Sequence, residues 1–148
     1  MTQAERERSS DGNFPVDVRA ELLGYSRANA YPIDYFAHAV CGCGGQKFQV
    51  ALDDAAGVAV RYCAQRGHDH PIGDSAEFLD DPDVALESCC CRYDGQLFEI
   101  TIGVHLYRES DDVRWVSLGQ RCVSCGLAGC YGDWKNESES YREFLRLV

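Results

Sequence analysis

The sequence contains no apolar run long enough to cross a membrane. A transmembrane helix needs about 20 predominantly apolar residues, and no segment of this 148-residue chain approaches that length. Residues 1–13 are polar and charged, and no apolar stretch of the kind found in a secretory leader follows them. We therefore expect a cytoplasmic protein that does not bind membranes and that begins with a disordered tail over residues 1–13.

Basic residues are also scarce. The chain has 14 Lys and Arg residues against 24 Asp and Glu residues, which gives a formal net charge of −10. Because such a charge repels phosphate backbones, we do not expect general nucleic-acid binding. An acidic surface instead favours contact with a basic patch on another protein, so the expected partner is a protein.

Cysteine, in contrast, is abundant, with nine residues. In a reducing compartment thiols stay unpaired and serve metal binding or redox chemistry. The cysteines also follow an order, because some precede each of two predicted β-hairpins and others follow each hairpin. Burial of cysteines as small hydrophobic residues does not account for that order. Their arrangement predicts metal ligands.

The two predicted hairpins separate the cysteine groups. The first joins strands over 48–52 and 58–62 through a turn rich in Asp and Gly. The second joins strands over 97–107 and 113–121 through a polar turn. Apolar residues alternate with polar ones in the second hairpin, as in strands that are buried on one face only.

Helices are predicted on both sides of the hairpins. Val18, Leu22 and Tyr25 follow the spacing i, i+4 and i+7, which predicts a helix before the first cysteine. A second helix is predicted over residues 135–148, with its start at Asn136.

Two segments of the chain resemble each other. The segment CAQRGHDHPIGD, which begins at Cys63, matches CVSCGLAGCYGD, which begins at Cys122, at an offset of 59 residues from 63 to 122. Upstream, the Cys41-Gly-Cys43 run precedes the first hairpin as the Cys89-Cys-Cys91 run precedes the second. We interpret the chain as two copies of one unit, which consists of C-x-C, a hairpin and C-x-x-C-G.

The second copy contains a complete set of four thiols. Two come from the loop before its hairpin and two from the loop after it, so they converge at one end and can complete a tetrahedron around Zn²⁺. The predicted ligands are Cys89, Cys91, Cys122 and Cys125, although the sequence does not decide which of Cys89, Cys90 and Cys91 bind the metal.

The first copy has three thiols. Arg66 occupies the position of Cys125, and a guanidinium has no lone pair to offer a metal. A Cys₃His set is an ordinary zinc site, so a histidine from the same loop is expected to be the fourth ligand. One zinc is therefore expected in the second copy, and the first copy can hold another. The predicted ligands of the first copy are Cys41, Cys43, Cys63 and either His68 or His70.

With these motifs the chain resembles the zinc-ribbon superfamily, in which cysteine pairs on two loops hold a structural zinc at the end of a β-hairpin. The resemblance covers about residues 41–133. The chain also resembles uncharacterised bacterial proteins with two such units. It departs from the usual superfamily pattern in one respect, because the first pair of each copy is C-x-C rather than C-x-x-C.

The resemblance leads to a predicted fold class, α+β, with two tandem zinc-ribbon-like antiparallel β-hairpin units and a helix at each end. The predicted divisions are an N-terminal helix with its lead-in over 14–40, a first unit over 41–88, a second unit over 89–134 and a C-terminal helix over 135–148.

The predicted function is that of a structural zinc protein that serves as a protein-interaction module without catalysis, because zinc held by four thiolates has no open position. Two alternatives remain open. One is a zinc enzyme at the first copy, where His68, Asp69 or His70 would move protons. The other is redox work, either by a rubredoxin-like iron site or by dithiol exchange at Cys122 and Cys125.

Overall fold

Runs of β-branched and aromatic residues, which favour strands, recur along the chain, and a computed structural model places them in antiparallel pairs. The structure describes residues 16–136 and 140–148. These residues form one eight-stranded sheet with two short α-helices. The elements are α1 Val16–Ala28, β1 Tyr35–His38, β2 Phe48–Asp53, β3 Val58–Cys63, β4 Asp69–Pro71, a 3-10 helix Ser75–Phe78, β5 Glu87–Ser88, β6 Phe98–Leu106, β7 Val113–Cys122, β8 Ala128–Lys135 and α2 Tyr141–Arg146.

The strands are arranged symmetrically about the middle of the sheet. Their order is β4-β3-β2-β6-β7-β8, and β2 meets β6 at the Phe48–Phe98 pair. The short strand β5 also pairs with β2, and β1 pairs with β6. Each half of the sheet therefore contains a three-stranded meander and one short added strand.

The predicted fold class is wrong. The two predicted hairpins correspond to β2–β3 and β6–β7, and their strand positions are confirmed, but they are not tandem α+β units with a helix at each end. They are joined edge to edge through β2 and β6, and Phe48 and Phe98 are buried in the same hydrophobic core. Because a single core covers both hairpins, the fold is one small sheet-rich structure.

Four strands escaped prediction because they lack the sequence pattern of a strand. β4 and β5 have three and two residues, and β8 contains two glycines and carries no alternation of apolar and polar residues. β1 has four residues and runs along β6 from Tyr35 to His38. Pairing with longer neighbours defines these strands, and their own composition does not.

The helix α1 packs directly on the sheet. Val18 and Leu22 are fully buried, as their spacing predicts. They lie so close to β7 that a Cβ atom on Gly119 would come within 2.7 Å of both side chains. Glycine at this position allows helix and strand to approach each other. No helix in residues 16–136 and 140–148 has the length and apolar character that a membrane crossing requires.

The second helix starts later than the sequence suggested. Asn136 is buried and donates a hydrogen bond to the Asp74 carboxylate (2.9 Å) instead of capping a helix. Ser140 caps α2, because its hydroxyl accepts a hydrogen bond from the backbone N–H of Glu143 (3.3 Å). The predicted tail over residues 1–13 lies outside the described residues.

The shared core predicts that damage to one hairpin destabilises the other. Replacing either Phe48 or Phe98 by Ala should cost about 3–5 kcal/mol, because each leaves a cavity in the same core. Both tryptophans, Trp115 and Trp134, lie on β7 and β8, so tryptophan fluorescence during urea unfolding reports on the second hairpin. Phe48→Ala should shift that transition about as much as Phe98→Ala.

The exposed neighbour Gln49 provides a control on the same strand. Gln49→Ala should change the unfolding free energy by about 0.5 kcal/mol or less. A tryptophan transition that stays unchanged in Phe48→Ala would mean that the two hairpins unfold independently.

Candidate metal centre

The first group of thiols lies at one end of the β2–β3 hairpin. Antiparallel pairing places Cys63, at the end of β3, opposite Phe48 at the start of β2. The loop before β2 brings Cys41 and Cys43 to the same end of the hairpin. The three sulfur atoms lie within 4.8 Å of one another, and the Cys43 and Cys63 sulfurs are 3.5 Å apart.

The second group is built in the same way at the end of β6–β7. Cys122 pairs with Phe98, and Cys125 follows in the next turn. The sulfurs of Cys91, Cys122 and Cys125 lie within 4.8 Å of one another, with 3.7 Å between those of Cys91 and Cys125.

Each group rests on a glycine that leaves room for its sulfurs. A Cβ atom on Gly45 would lie 2.8 Å from the Cys63 sulfur, and one on Gly95 would lie 2.5 Å from the Cys122 sulfur. Such distances are too short for ordinary carbon–sulfur contacts, so a side chain at either position would displace the thiols. Glycine at these two positions therefore leaves the space between loop and hairpin free for the sulfur atoms.

Backbone N–H groups point at the sulfurs. Tyr93 and Gly95 donate to the Cys91 sulfur at 3.3 and 3.2 Å. Gly67 and Gly126 adopt positive φ angles of 70° and 78°, which turn the chain back after Cys63 and after Cys122. Donors of this kind stabilise negative charge on sulfur and are typical outer-shell partners of metal-bound thiolates.

The pKa values of the thiols in the first group differ, because the neighbouring sulfurs cannot all carry negative charge easily. The backbone N–H groups of Arg66 and Gln65 lower the pKa of Cys63 to about 7, although burial opposes this effect. The Gly45 N–H lowers the pKa of Cys43, but burial and the neighbouring Cys41 and Cys63 sulfurs outweigh it, and the net shift is upward. One thiol of the group therefore ionises easily and makes its neighbour harder to ionise.

The second group behaves in the same way. Burial opposes ionisation of Cys122, but the N–H groups of Cys125 and Ser124 prevail and lower its pKa. For Cys125 the Leu127 N–H favours the thiolate, whereas burial and the nearby Cys122 and Cys91 sulfurs raise the pKa overall. A bound cation would remove this mutual repulsion, since metal binding deprotonates coordinating thiols.

The geometry fits a tetrahedral metal ion. With Zn–S bonds of about 2.3 Å, two thiolates of a tetrahedral site lie about 3.8 Å apart. The separations of 3.5 Å in the first group and 3.7 Å in the second are close to that value. All nine cysteines are free thiols, so no disulfide competes for these sulfurs.

The structure separates the two histidines predicted as alternative ligands. His68 Nδ1 lies 3.8 Å from the Cys41 sulfur, on the edge of the first group. The ring of His70 instead makes a 2.7 Å hydrogen bond with the backbone carbonyl of Leu147. Of the two histidines, only His68 therefore lies beside the first group, and its ring nitrogens are not within 4.8 Å of all three sulfurs. Asp69 is exposed on β4.

The structure does not bring Cys89 into the second group, which contains Cys91, Cys122 and Cys125. Burial raises the pKa of the Cys89 thiol to about 11. Cys90 is exposed, and the Cys130 thiol donates to the carbonyl of Gly132 at 3.3 Å.

Matching hydrogen bonds explain the place of Cys89. The backbone N–H of Cys89 donates a hydrogen bond to the carbonyl of Val50 (2.8 Å). In the same way, the N–H of Ala39 donates one to the carbonyl of Ile100 (2.9 Å). Cys89 therefore takes the position of Ala39, a buried residue. Two residues later in each copy, the N–H of Cys91 donates to the carbonyl of Gly95, and the N–H of Cys41 donates to the carbonyl of Gly45. Cys91 thus corresponds to Cys41, and the comparison of the Cys89-Cys-Cys91 run with Cys41-Gly-Cys43 was out of register.

The sequence contained a signal that would have given this register. Each strand that follows a cysteine loop begins with a phenylalanine, Phe48 or Phe98. Counting back seven residues from each leads to Cys41 and to Cys91. The spacing to the strand, which the fold fixes, is more informative than the similarity of the cysteine runs.

Sequence reasoning also missed Arg61, which lies beside the first group. Its side chain is 94% buried, as only 6% is exposed, and its guanidinium lies 4.8 Å from the centre of the Phe48 ring. Burial lowers the pKa of Arg61, whereas the Cys41 and Cys63 sulfurs act to raise it. The period of two along β3 places Arg61 on the same face as Cys63, which was the available signal.

Comparison with protein-family models, with curated proteins and with solved structures gave no significant match for this chain. The chemistry of the two groups therefore rests on their own geometry.

The first prediction from this geometry concerns the ligands of the second group. Cys91→Ser should remove one metal ion per chain, because it deletes one of three converging sulfurs. Cys89→Ser should leave the metal content unchanged. Native mass spectrometry of metal-loaded protein counts the ions directly, and Cys90→Ser serves as a control. Loss of a metal in Cys89→Ser but not in Cys91→Ser would contradict the observed grouping.

A second prediction concerns the buried cation. Arg61→Met preserves much of the side-chain volume but removes the charge beside Cys41. It should weaken metal retention at the first group about 10- to 100-fold, the usual range for an outer-shell partner. Competition with a chromogenic chelator measures this change. The exposed Arg66 gives the matched control, and an equal loss in Arg66→Met would show that the effect is only one of general charge.

Proposed function

We propose that this protein is a structural zinc-binding protein with two thiolate-rich sites. The observation that carries the proposal is the convergence of three sulfurs within 4.8 Å at the end of each long hairpin. Two further features support it: Gly45 and Gly95 leave room for the sulfurs, and backbone N–H groups donate to the Cys91 sulfur. In the proposed first site, Cys41, Cys43 and Cys63 bind the metal together with His68. Cys91, Cys122 and Cys125 bind it in the second.

Two features favour zinc over iron in this proposal. A rubredoxin-like iron site needs four thiolates, and each group contains three. The first group has a histidine at its edge, and Cys₃His is a common set for structural zinc. We also propose that the protein is cytoplasmic, because nine free thiols suit a reducing compartment.

The proposal includes duplication of a metal-binding unit. The strand order supports this duplication, because a three-stranded meander lies on each side of the Phe48–Phe98 pair. Further support comes from the turns after the hairpins. The N–H of Gly67 donates to the backbone carbonyl of Cys63, and the N–H of Gly126 donates to that of Cys122, both at 2.8 Å.

We further propose that the metal fixes the loops as a surface for a protein partner. Tyr93, Val123 and Leu127 lie on the loops of the second group and are exposed by 68%, 37% and 41%. Large exposed apolar residues at the surface favour contact with another protein. The net charge of −10 supports a basic protein partner and opposes nucleic acid.

The test of the proposed function is removal of the metal. Native mass spectrometry of protein expressed with zinc should show two zinc ions per chain, and a strong chelator should lower the melting temperature substantially. Thiolate zinc sites contribute on the order of 10 kcal/mol to the folded state. Cys130→Ser, outside both groups, should retain both ions. A metal-free mass, bound iron instead of zinc, or an unchanged melt after chelation would refute the proposal.

A further inference from the structure

The two groups share one backbone but differ in their side chains. Cys41 corresponds to Cys91 and Cys63 corresponds to Cys122, as the hydrogen bonds of the loops show. At the other ligand positions the copies diverge. The first copy has Cys43, Arg66 and His68 where the second has Tyr93, Cys125 and Leu127.

Position 68 and position 127 are held in the same way by the backbone. The carbonyl of His68 accepts a hydrogen bond from the Cys63 N–H at 2.9 Å, and the carbonyl of Leu127 accepts one from the Cys122 N–H at 2.8 Å. The first copy therefore presents an imidazole to its thiols, and His68 Nδ1 lies 3.8 Å from the Cys41 sulfur. The second copy has a leucine, which cannot bind a metal, at the corresponding position.

No other residue of the second copy takes over this role. Within residues 16–136 and 140–148, no fourth His, Cys, Asp or Glu side chain lies within 4.8 Å of all three sulfurs of either group, but the first group has His68 Nδ1 3.8 Å from its Cys41 sulfur. Tyr93 occupies the position of Cys43, but phenol is not a usual zinc ligand, and the side chain is 68% exposed. Three thiolates alone leave a tetrahedral ion one ligand short.

The unfilled side of the second group faces outward. The Cys122 thiol is fully buried and Cys91 is 6% exposed, so both lie on the inner side of the group. Cys125 is exposed, as are Tyr93 and Leu127. A ligand from solution therefore has access to the second group on the side of Cys125.

We propose that the second site binds an imidazole ligand from outside the chain, while His68 closes the first site. This inference rests on the proposed metal-binding function. Imidazole is the donor that the first copy uses at this position, and as a neutral ligand it adds no charge to three clustered thiolates. The imidazole is either a small molecule or a histidine side chain of another protein chain.

Cobalt-substituted protein without a polyhistidine tag provides the test, because the visible absorption of Co²⁺ reports its ligands. Native mass spectrometry first establishes that two Co²⁺ ions are bound. Free imidazole is then the probe. In the natural protein, titration should change the spectrum of one of the two ions in a saturable manner. Leu127→His should abolish the change, and the reciprocal His68→Leu should make both ions respond.

Tyr93→Cys gives an independent way to close the second site, since it restores the thiol found at Cys43, and it should also abolish the response. A natural protein that holds two Co²⁺ ions and does not respond to imidazole would overturn this inference. A persistent response in both Leu127→His and Tyr93→Cys would also overturn it. Failure to bind Co²⁺ or Zn²⁺ at all would instead overturn the proposed function.

The mass measurement also distinguishes the sources of the ligand. A dimer that imidazole dissociates would identify a histidine of a second copy as the ligand. A monomer that gains one imidazole per chain would identify a site open to small molecules or to a different protein.

Discussion

The antiparallel pairing of each long hairpin positions everything else in this structure. Pairing sets Cys63 opposite Phe48 and Cys122 opposite Phe98, and the two phenylalanines face each other where β2 meets β6. Each phenylalanine is fully buried, which anchors the adjacent cysteine at the boundary between core and loop. The loop before each hairpin then has to supply its thiols to that fixed point.

Space and charge limit what these fixed points can hold. Gly45 and Gly95 keep side chains out of the volume that the sulfurs need. Within that volume, thiols at such short separations resist ionising together, as the raised pKa values of Cys43 and Cys125 show. N–H groups and, at the first site, the Arg61 guanidinium offset part of the negative charge. A divalent cation would neutralise the rest, which gives the metal a physical reason to bind in both places.

The two sites illustrate how one backbone can serve two purposes. Hydrogen bonds hold positions 68 and 127 alike, so in the proposed arrangement an imidazole at position 68 closes the first site and leucine at position 127 leaves the second site open. The rest of the second loop is also more apolar at its surface, with Tyr93 and Val123 exposed. In the proposed function, the first site contributes stability, and the second combines a similar contribution with access from outside. Such a division of roles needs no change in the sheet.

The sequence by itself predicted the two long hairpins, because β-branched residues alternate along β6 and turn residues separate each strand pair. It also predicted helix α1, and it singled out the cysteines, whose order around the hairpins has no simple explanation in packing. His68 was one of two histidines that it selected. These features depend on local spacing, which a sequence displays directly.

Tertiary structure decided what depends on long-range pairing. The joining of β2 to β6 merges the two expected units into one sheet, and it rests on one residue pair that no local pattern marks. The choice of Cys91 over Cys89 came from hydrogen bonds with Val50 and Gly95, one of them to a distant strand. The burial of Arg61 and the separation of His68 from His70 depended equally on contacts across the fold. Sequence spacing limits which residues can meet, but the register between distant strands determines which of them do.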